Sequence, residues 1–163
     1  MTRHQQQATR VYEESREDVY RYLLTLGLPP PQAQEAAQES FLRLYVALER
    51  GTLIENMRAW VFRVAHNHAM DVRAKERFQP LDPDLEGLLR DSRPGAEKDL
   101  IEGEKMKQLG KAWATLSRQQ RQCLHLRAEG LRYREIADTL QISMSSVREF
   151  VCRAIARLQK AVL

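Results

Sequence analysis

The sequence has little cysteine, and its few histidines do not stand at metal-binding spacing. The two cysteines, Cys123 and Cys152, form no CxxC pair. They are typical of reduced, partly buried thiols in a cytosolic protein rather than of a disulfide framework. The closest histidines, His66 and His68, are two residues apart and therefore point to different sides of a helix. We expect no metal ion and no cofactor.

Long apolar runs and catalytic motifs are also missing. No apolar run approaches the roughly 20 residues that cross a bilayer, and the polar residues 1–10 lack the apolar core of a signal peptide. The 7 glycines form no phosphate-binding loop, and no nucleophile motif or recognisable carboxylate pair is present. We therefore expect no membrane insertion, no catalytic residues and no enzymatic activity, in a protein located in the cytoplasm.

Charge is abundant but unevenly distributed. Residues 1–78 carry 11 Lys and Arg against 10 Asp and Glu, whereas residues 79–104 carry 3 against 8. Residues 105–163 carry 12 against 4, a net charge of +8. A basic C-terminal segment is suited to a polyanion such as nucleic acid. DNA would repel the acidic connector, which we expect to occupy another surface.

Apolar residues recur at helical spacing on both sides of a proline- and glycine-containing stretch, residues 79–95. The predicted helices are 11–26, 32–50, 57–77, 96–115, 117–130, from 133 to a turn near 141, and from 143 to 163. Asn56 and Ser117 are predicted to cap the third and fifth of these helices. We predict an all-α fold of two small helical domains, 1–78 and 105–163. The acidic residues 79–104 would form a flexible linker between them.

The C-terminal segment has the spacing of a helix-turn-helix. Ala137 is placed where two helices cross closely, Ile142 follows a tight turn, Ser143 can cap the next helix, and Val147 packs back onto the first. Such a motif presents its last helix to the major groove, where arginine reads guanine and hydroxyls reach phosphates or bases. The candidate contacts to duplex DNA are Arg134, Ser143, Ser145, Ser146, Arg148, Glu149 and Arg153. A solvated basic face on a helical hairpin is the simpler alternative.

The helix from Met57 carries a second polar and basic set. Arg63, His66, Asn67, Arg73 and Arg77 are predicted to lie near one face, a pattern that suits single-stranded or locally melted DNA. The candidate contacts there are Asn56, Arg58, Arg63, His66, Asn67, Arg73 and Arg77. The aromatic residues at 60 and 62 fit either this surface or the core.

Taken in order, these patterns resemble the sigma-seventy family of bacterial RNA polymerase specificity factors, and within it the extracytoplasmic-function group. The resemblance covers roughly residues 10–162. The second helix is similar through Gln38-Glu39, Phe41, Arg43 and Tyr45, and the third through Arg58-Ala59-Trp60, Arg63, Asn67, Asp71 and Arg73. The C-terminal domain is similar through Leu116-Ser117, Gly130-Leu131, Glu135-Ile136-Ala137, Ile142-Ser143 and Val147-Arg148.

The resemblance implies a protein that binds core RNA polymerase, through the clamp and flap of its large subunits, and directs initiation at particular promoters. The polymerase contacts would be Glu35, Gln38, Glu39, Leu42 and Arg43. The first domain would recognise and open the downstream promoter element, with a base flipped out near the loop 51–56. The second would read the upstream element, and the linker would follow the RNA exit path. An anti-sigma factor is a further implied partner.

The chain also departs from the family pattern. Gln32 and Gln34 replace acids, and Gln141 stands where a turn glycine is usual and so requires a left-handed conformation or a different turn. Glu149 stands where the family has a small polar residue, and Phe150 stands where it has a basic residue. Glu149 can accept a hydrogen bond from cytosine N4, whereas Phe150 suits the core. The loop 51–56 has no aromatic residue, so base capture would depend on polar and backbone groups.

These departures leave two alternatives open. The chain could be a sigma mimic that sequesters an anti-sigma factor, an idea motivated by Glu149 and Phe150 and by the acids that Gln32 and Gln34 replace. It could instead be a stand-alone helix-turn-helix regulator, which the predicted polymerase-binding helix argues against.

Overall fold

The computed structural model describes residues 1–76 and 96–163, which contain seven helices and no strand. The helices are α1 (Arg3–Thr25), α2 (Pro30–Glu49), α3 (Met57–Glu76), α4 (Ala96–Thr115), α5 (Arg118–Ala128), α6 (Tyr133–Leu140) and α7 (Met144–Val162). The chain divides into two compact units, Met1–Leu81 and Asp82–Leu163. The predicted all-α fold with two helical domains is confirmed. Residues 79–95 of the predicted linker lie outside the described residues, and its remaining part, 96–104, is helical and forms the beginning of α4.

Helix α1 begins at Arg3, which corrects the predicted start at Val11. The cause is a capping box at the beginning of the chain. The Thr2 hydroxyl accepts from the Gln5 backbone N–H at 3.2 Å, and the Gln5 side chain accepts from the Thr2 N–H at 2.9 Å. These two bonds satisfy backbone donors that a helix end otherwise leaves unpaired. The local polar sequence therefore extends the helix beyond its apolar stripe.

The first unit packs α1, α2 and α3 against one another. Its interior combines aromatic and branched side chains, such as Tyr22, Leu44 and Phe62, with the small residues Ala36 and Ala65, all buried. The alanines fill little space and so leave room for the large rings. The Phe62 ring meets the Tyr22 ring edge-on, with centroids 5.7 Å apart. Phe62 is thus part of the core, which decides between the two interpretations of this aromatic.

The second unit is organised around α7, which contacts α4, α5 and α6. Trp113 and Leu116 of the α4 end pack with Ala154 of α7. Arg157 adds a polar link, since its Nη1 donates to the Thr115 carbonyl oxygen at 2.9 Å. Ser117 caps α5 by accepting from a backbone N–H at 3.1 Å, as predicted. The buried residues of α7 are Val147, Val151 and Ala154, which face these three helices. The opposite side of α7 is therefore exposed to solvent.

Candidate functional site

The turn between α6 and α7 sets the direction in which α7 leaves the domain. Gln141 ends α6 in the left-handed region, with φ 57° and ψ 48°, which decides between the left-handed conformation and the different turn that the sequence left open. Ser143 then caps α7 by accepting from the Ser146 backbone N–H at 3.1 Å. Val147 is buried. The two helices therefore have the predicted helix-turn-helix connection.

The exposed side of α7 brings together four of the predicted upstream contacts: Ser145, Arg148, Glu149 and Arg153. Glu149 and Arg153 form an ion pair, with 2.6 Å between Oε1 and Nη2. Arg134 is also exposed, near the start of α6. This surface can present cations to phosphates and both a donor and an acceptor to base edges.

Two predicted upstream residues have a structural task within α7. Ser143 is the helix cap, and its hydroxyl also donates to the Ser146 hydroxyl at 2.9 Å. Ser146 is only half-buried, and it supplies the N–H that the cap requires. Phe150 is half-buried as well, in keeping with its expected place beside the core stripe.

On α3, Arg63 and Asn67 lie one turn apart on the exposed side, and Trp60 is half-buried one turn earlier. A guanidinium and an amide so spaced can hold a phosphate and read a base edge. Of the predicted downstream set, Arg63 and Asn67 therefore lie together on a surface that DNA can reach.

The prediction that His66 shares this exposed face is wrong. His66 is 5% exposed, and its Nδ1 is hydrogen-bonded to the Tyr22 hydroxyl at 2.7 Å. The two rings stack with centroids 6.0 Å apart. The position lies at the edge of the buried stripe of α3, and α1 covers it. His66 therefore stabilises the α1–α3 contact.

Asn56 and Arg58 also have partners within the protein. The Asn56 Oδ1 accepts from the Ala59 N–H at 3.1 Å, which confirms its predicted role as helix cap. The Arg58 guanidinium binds Asp18 of α1 at 3.1 Å and donates to the Ser15 hydroxyl at 3.0 Å. These bonds hold α3 on α1, so neither side chain is simply available to DNA.

Arg73 and Arg77 are the last two residues of the predicted downstream set. Arg73 is half-buried, and its Nε and Nη1 have no hydrogen-bond partner in the part of the chain that the structure describes. Arg77 lies outside the described residues.

The loop before α3 supplies a residue that the sequence analysis missed: Leu53 is 98% exposed. A large apolar side chain in a short loop between two predicted helices was the signal that could have found it.

The exposed side of α2 carries all five predicted polymerase contacts. Glu35, Gln38, Leu42 and Arg43 are exposed, Glu39 is half-buried, and Glu39 pairs with Arg43 at 3.3 Å. Leu42 is 60% exposed and Val46, one turn later, 43%. An apolar strip bordered by charges is the composition expected of a protein-binding surface.

A groove between α1 and α2 continues this strip. Its walls are formed by Ala8, Thr9, Tyr12, Gln38, Phe41, Leu42 and Tyr45. Two of these side chains, Tyr12 and Phe41, meet edge-on, with ring centroids 5.2 Å apart. The contribution of α1 was not predicted, because it depends on how α1 and α2 pack against each other, which helical spacing alone does not determine.

The two cysteines have different surroundings. Cys123 is buried, and desolvation raises the pKa of its thiol from 9.0 to about 11, so it stays protonated near neutral pH. Cys152 is exposed on α7. Within the described residues, no cluster of three or more His, Cys, Asp or Glu side chains could hold a metal ion. Among the same residues, no helix combines the length and hydrophobicity needed to span a membrane.

An all-helical fold with a helix-turn-helix unit and an exposed basic helix defines a class of nucleic-acid-binding proteins. Family comparisons make this more specific. Residues 11–79 match sigma-70 region 2, and residues 106–158 match sigma-70 region 4. The chain is 26% identical over 151 residues to the extracytoplasmic-function (ECF) RNA polymerase sigma factor SigM of Bacillus subtilis strain 168, covering 91% of each chain. This chain belongs to the sigma-70 family, in its ECF group.

Solved structures agree on the fold. The sigma factor RpoE from Bartonella quintana, solved with the anti-sigma factor NepR, has a TM-score of 0.60 and 20% identity; the match covers 97% of this chain and 95% of that one. CnrH, solved with the cytosolic domain of CnrY, has a TM-score of 0.59 and 19% identity, with 96% and 87% covered.

Proposed function

We propose that this chain binds core RNA polymerase and directs it, without catalysing a reaction itself, to promoters with two recognition elements. The observation that carries the proposal is the order of the two family matches, region 2 on the first helical unit and region 4 on the second. Each unit also exposes a polar or basic helix side suited to its element. The protein would work in the cytoplasm.

The first step is docking on polymerase through the exposed side of α2. We assign this contact to Glu35, Gln38, Glu39, Leu42 and Arg43, with the clamp of the largest subunit as the partner. Leu42 and Val46 supply apolar area that water covers in the free protein, and the surrounding charges supply orientation. The α1–α2 groove is the natural extension of this surface.

The second step is recognition and opening of the downstream element by the first unit, residues 1–78. Arg63 would bind phosphate and Asn67 a base edge. Leu53, fully exposed ahead of α3, can insert between separated bases, as apolar side chains do in proteins that unstack DNA. Base capture would thus combine an apolar side chain with polar and backbone groups. Arg73, half-buried towards the end of α3, would add a phosphate contact through the part of its guanidinium that reaches the surface.

The third step is binding of the upstream element by residues 105–163. The exposed Ser145, Arg148, Glu149 and Arg153 of α7 would face base edges, and Arg134 would bind phosphate. Ser143 and Ser146 would act through the helix start, whose backbone N–H groups favour phosphate. The flap of the polymerase would hold this unit, and the acidic residues 79–104 would follow the path of the RNA.

The experiment that tests the proposal is transcription by core polymerase with the purified chain on a randomised promoter library, with start sites read by sequencing. We expect a two-part consensus that core polymerase alone does not produce. Replacing Asn67 by Ala should weaken the downstream part, whereas Arg148→Ala should weaken the upstream part. Gln6→Ala, which removes an exposed amide near the start of α1 and outside every assigned contact set, is the matched control. No initiation at any sequence would refute the proposal.

A second function is favoured by one feature, the carboxylate of Glu149 on the side of α7 that would face DNA. A sigma mimic that only sequesters an anti-sigma factor would not need that surface to bind DNA. The similar fold of RpoE, which was solved with the anti-sigma factor NepR, supports an anti-sigma partner for this chain in either case. The transcription experiment separates the two, because a mimic would not initiate.

A further inference from the structure

Glu149 and Arg153 form an ion pair at the centre of the exposed side of α7. They are one turn apart and joined at 2.6 Å, and their side chains are 55% and 67% exposed. Val147, Val151 and Ala154 on the opposite side are buried. The packing of α7 therefore points the pair away from the protein, in the direction from which DNA would approach.

A lone carboxylate at this position would be repelled by the phosphates that border the major groove. The Arg153 guanidinium compensates its charge and restricts its rotamers at the same time. Arg148, exposed on the same helix, adds a further positive charge beside it. The carboxylate can therefore enter the groove without leaving a net negative surface on α7.

An ionised carboxylate only accepts hydrogen bonds. In the major groove, guanine presents acceptors, thymine an acceptor and a methyl group, and adenine one acceptor beside its donor. Cytosine presents the N4 amino donor alone. Among the four bases, cytosine is therefore the best match for Glu149.

We propose that Glu149 is a specificity-determining residue that selects a cytosine in the upstream promoter element, and that Arg153 is its positioning residue. This inference rests on the proposed function, since it assumes that α7 enters the major groove of promoter DNA. It concerns a position at which this chain departs from the pattern of its family.

The test is transcription by core polymerase with the full-length chain on a library randomised across the upstream element. Wild type should favour cytosine at one position, by on the order of tenfold over the other bases. Glu149→Gln keeps the size but adds a donor. Because an amide pairs with adenine N6 and N7, this variant should shift the preference at that position from cytosine to adenine. Glu149→Ala should abolish the preference there.

Arg153 variants test the positioning role. Arg153→Ala should reduce the cytosine preference and also the total yield, because the carboxylate is then neither held nor neutralised. Arg153→Lys keeps the charge and should restore most of both. A merely structural role would lower the yield without changing the base ratio. Lys160→Ala, further along α7, is the matched control for loss of one positive charge and should leave the base ratio unchanged. Circular dichroism melting establishes that each variant is folded.

The outcomes distinguish this inference from the function on which it rests. If wild type initiates at a two-part consensus but the Glu149 variants select the same bases, the inference is overturned and the proposed function stands. A wild-type consensus without cytosine in the upstream element would likewise overturn the inference alone. If wild type initiates nowhere, both are overturned.

Discussion

The turn at Gln141 gives a prediction whose size follows from the backbone geometry. The residue has φ 57° and ψ 48°, a conformation that costs a residue with a side chain roughly 1–2 kcal/mol and costs glycine almost nothing. Glycine, however, gives the unfolded chain more conformational entropy, which is worth roughly 0.4–1 kcal/mol. The Gln141 Nε2 also donates to the Asp138 carbonyl oxygen at 2.6 Å, but this bond is exposed and contributes little.

The balance predicts that Gln141→Gly stabilises the second unit by about 0.5 kcal/mol, or about 2–4 °C in melting temperature. Trp113 is buried in this unit and can report its unfolding. Since the chain has 2 tryptophans, the measurement belongs in a Trp60→Phe background, by fluorescence during thermal and urea unfolding.

Gln141→Ala is the control, because it removes the side-chain bond but keeps the left-handed conformation. It should be neutral or slightly destabilising. A Gln141→Gly variant less stable than wild type would refute the reasoning, since the side chain would then contribute more than the backbone strain costs. Promoter selection should not change in either variant, because residue 141 is not part of the exposed side of α7.

Three further predictions concern the core, the docking surface and the buried thiol. Tyr22→Phe removes the bond to buried His66 and should lower the free energy of unfolding by about 1–2 kcal/mol in urea titrations. Leu42→Asp should weaken binding to core polymerase by on the order of tenfold, measured by titration of labelled protein, without changing unfolding. Because folding raises the pKa of Cys123 from 9.0 to about 11, the unfolded thiol ionises first. Wild type should therefore lose more stability than Cys123→Ala as pH rises from 9 to 11.

Each of these has a result that would contradict it. An unchanged urea midpoint for Tyr22→Phe would mean that the His66 contact adds nothing to the α1–α3 packing; Tyr20→Phe, on the same helix, is its control. Equal polymerase affinity for Leu42→Asp and wild type would remove the exposed strip of α2 from the interface. Parallel stability curves for wild type and Cys123→Ala above pH 9 would show that the thiol is solvated in the folded state.

The sequence alone predicted the order of the helices and the position of the turn before α7, but neither the start of α1 nor the type of that turn. Helix periodicity, the Asn56 and Ser117 caps and the position of the turn at residue 141 are local properties. They depend on residues within about one turn of each other, so they can be read along the chain. The order of the motifs along the chain likewise predicted the family, because this order can be recognised without knowing which helices contact one another.

The tertiary structure decided which polar side chains of α3 remain at the surface. His66 and Asn67 are adjacent in sequence, yet one is buried against Tyr22 and the other is exposed. Arg58 is likewise held by residues of α1. Helical spacing fixes the direction in which a side chain points around the helix axis. The width of the buried side of that helix, however, depends on the neighbouring helix. That neighbour lies more than 40 residues away in the chain, and only the packed structure shows how far it reaches.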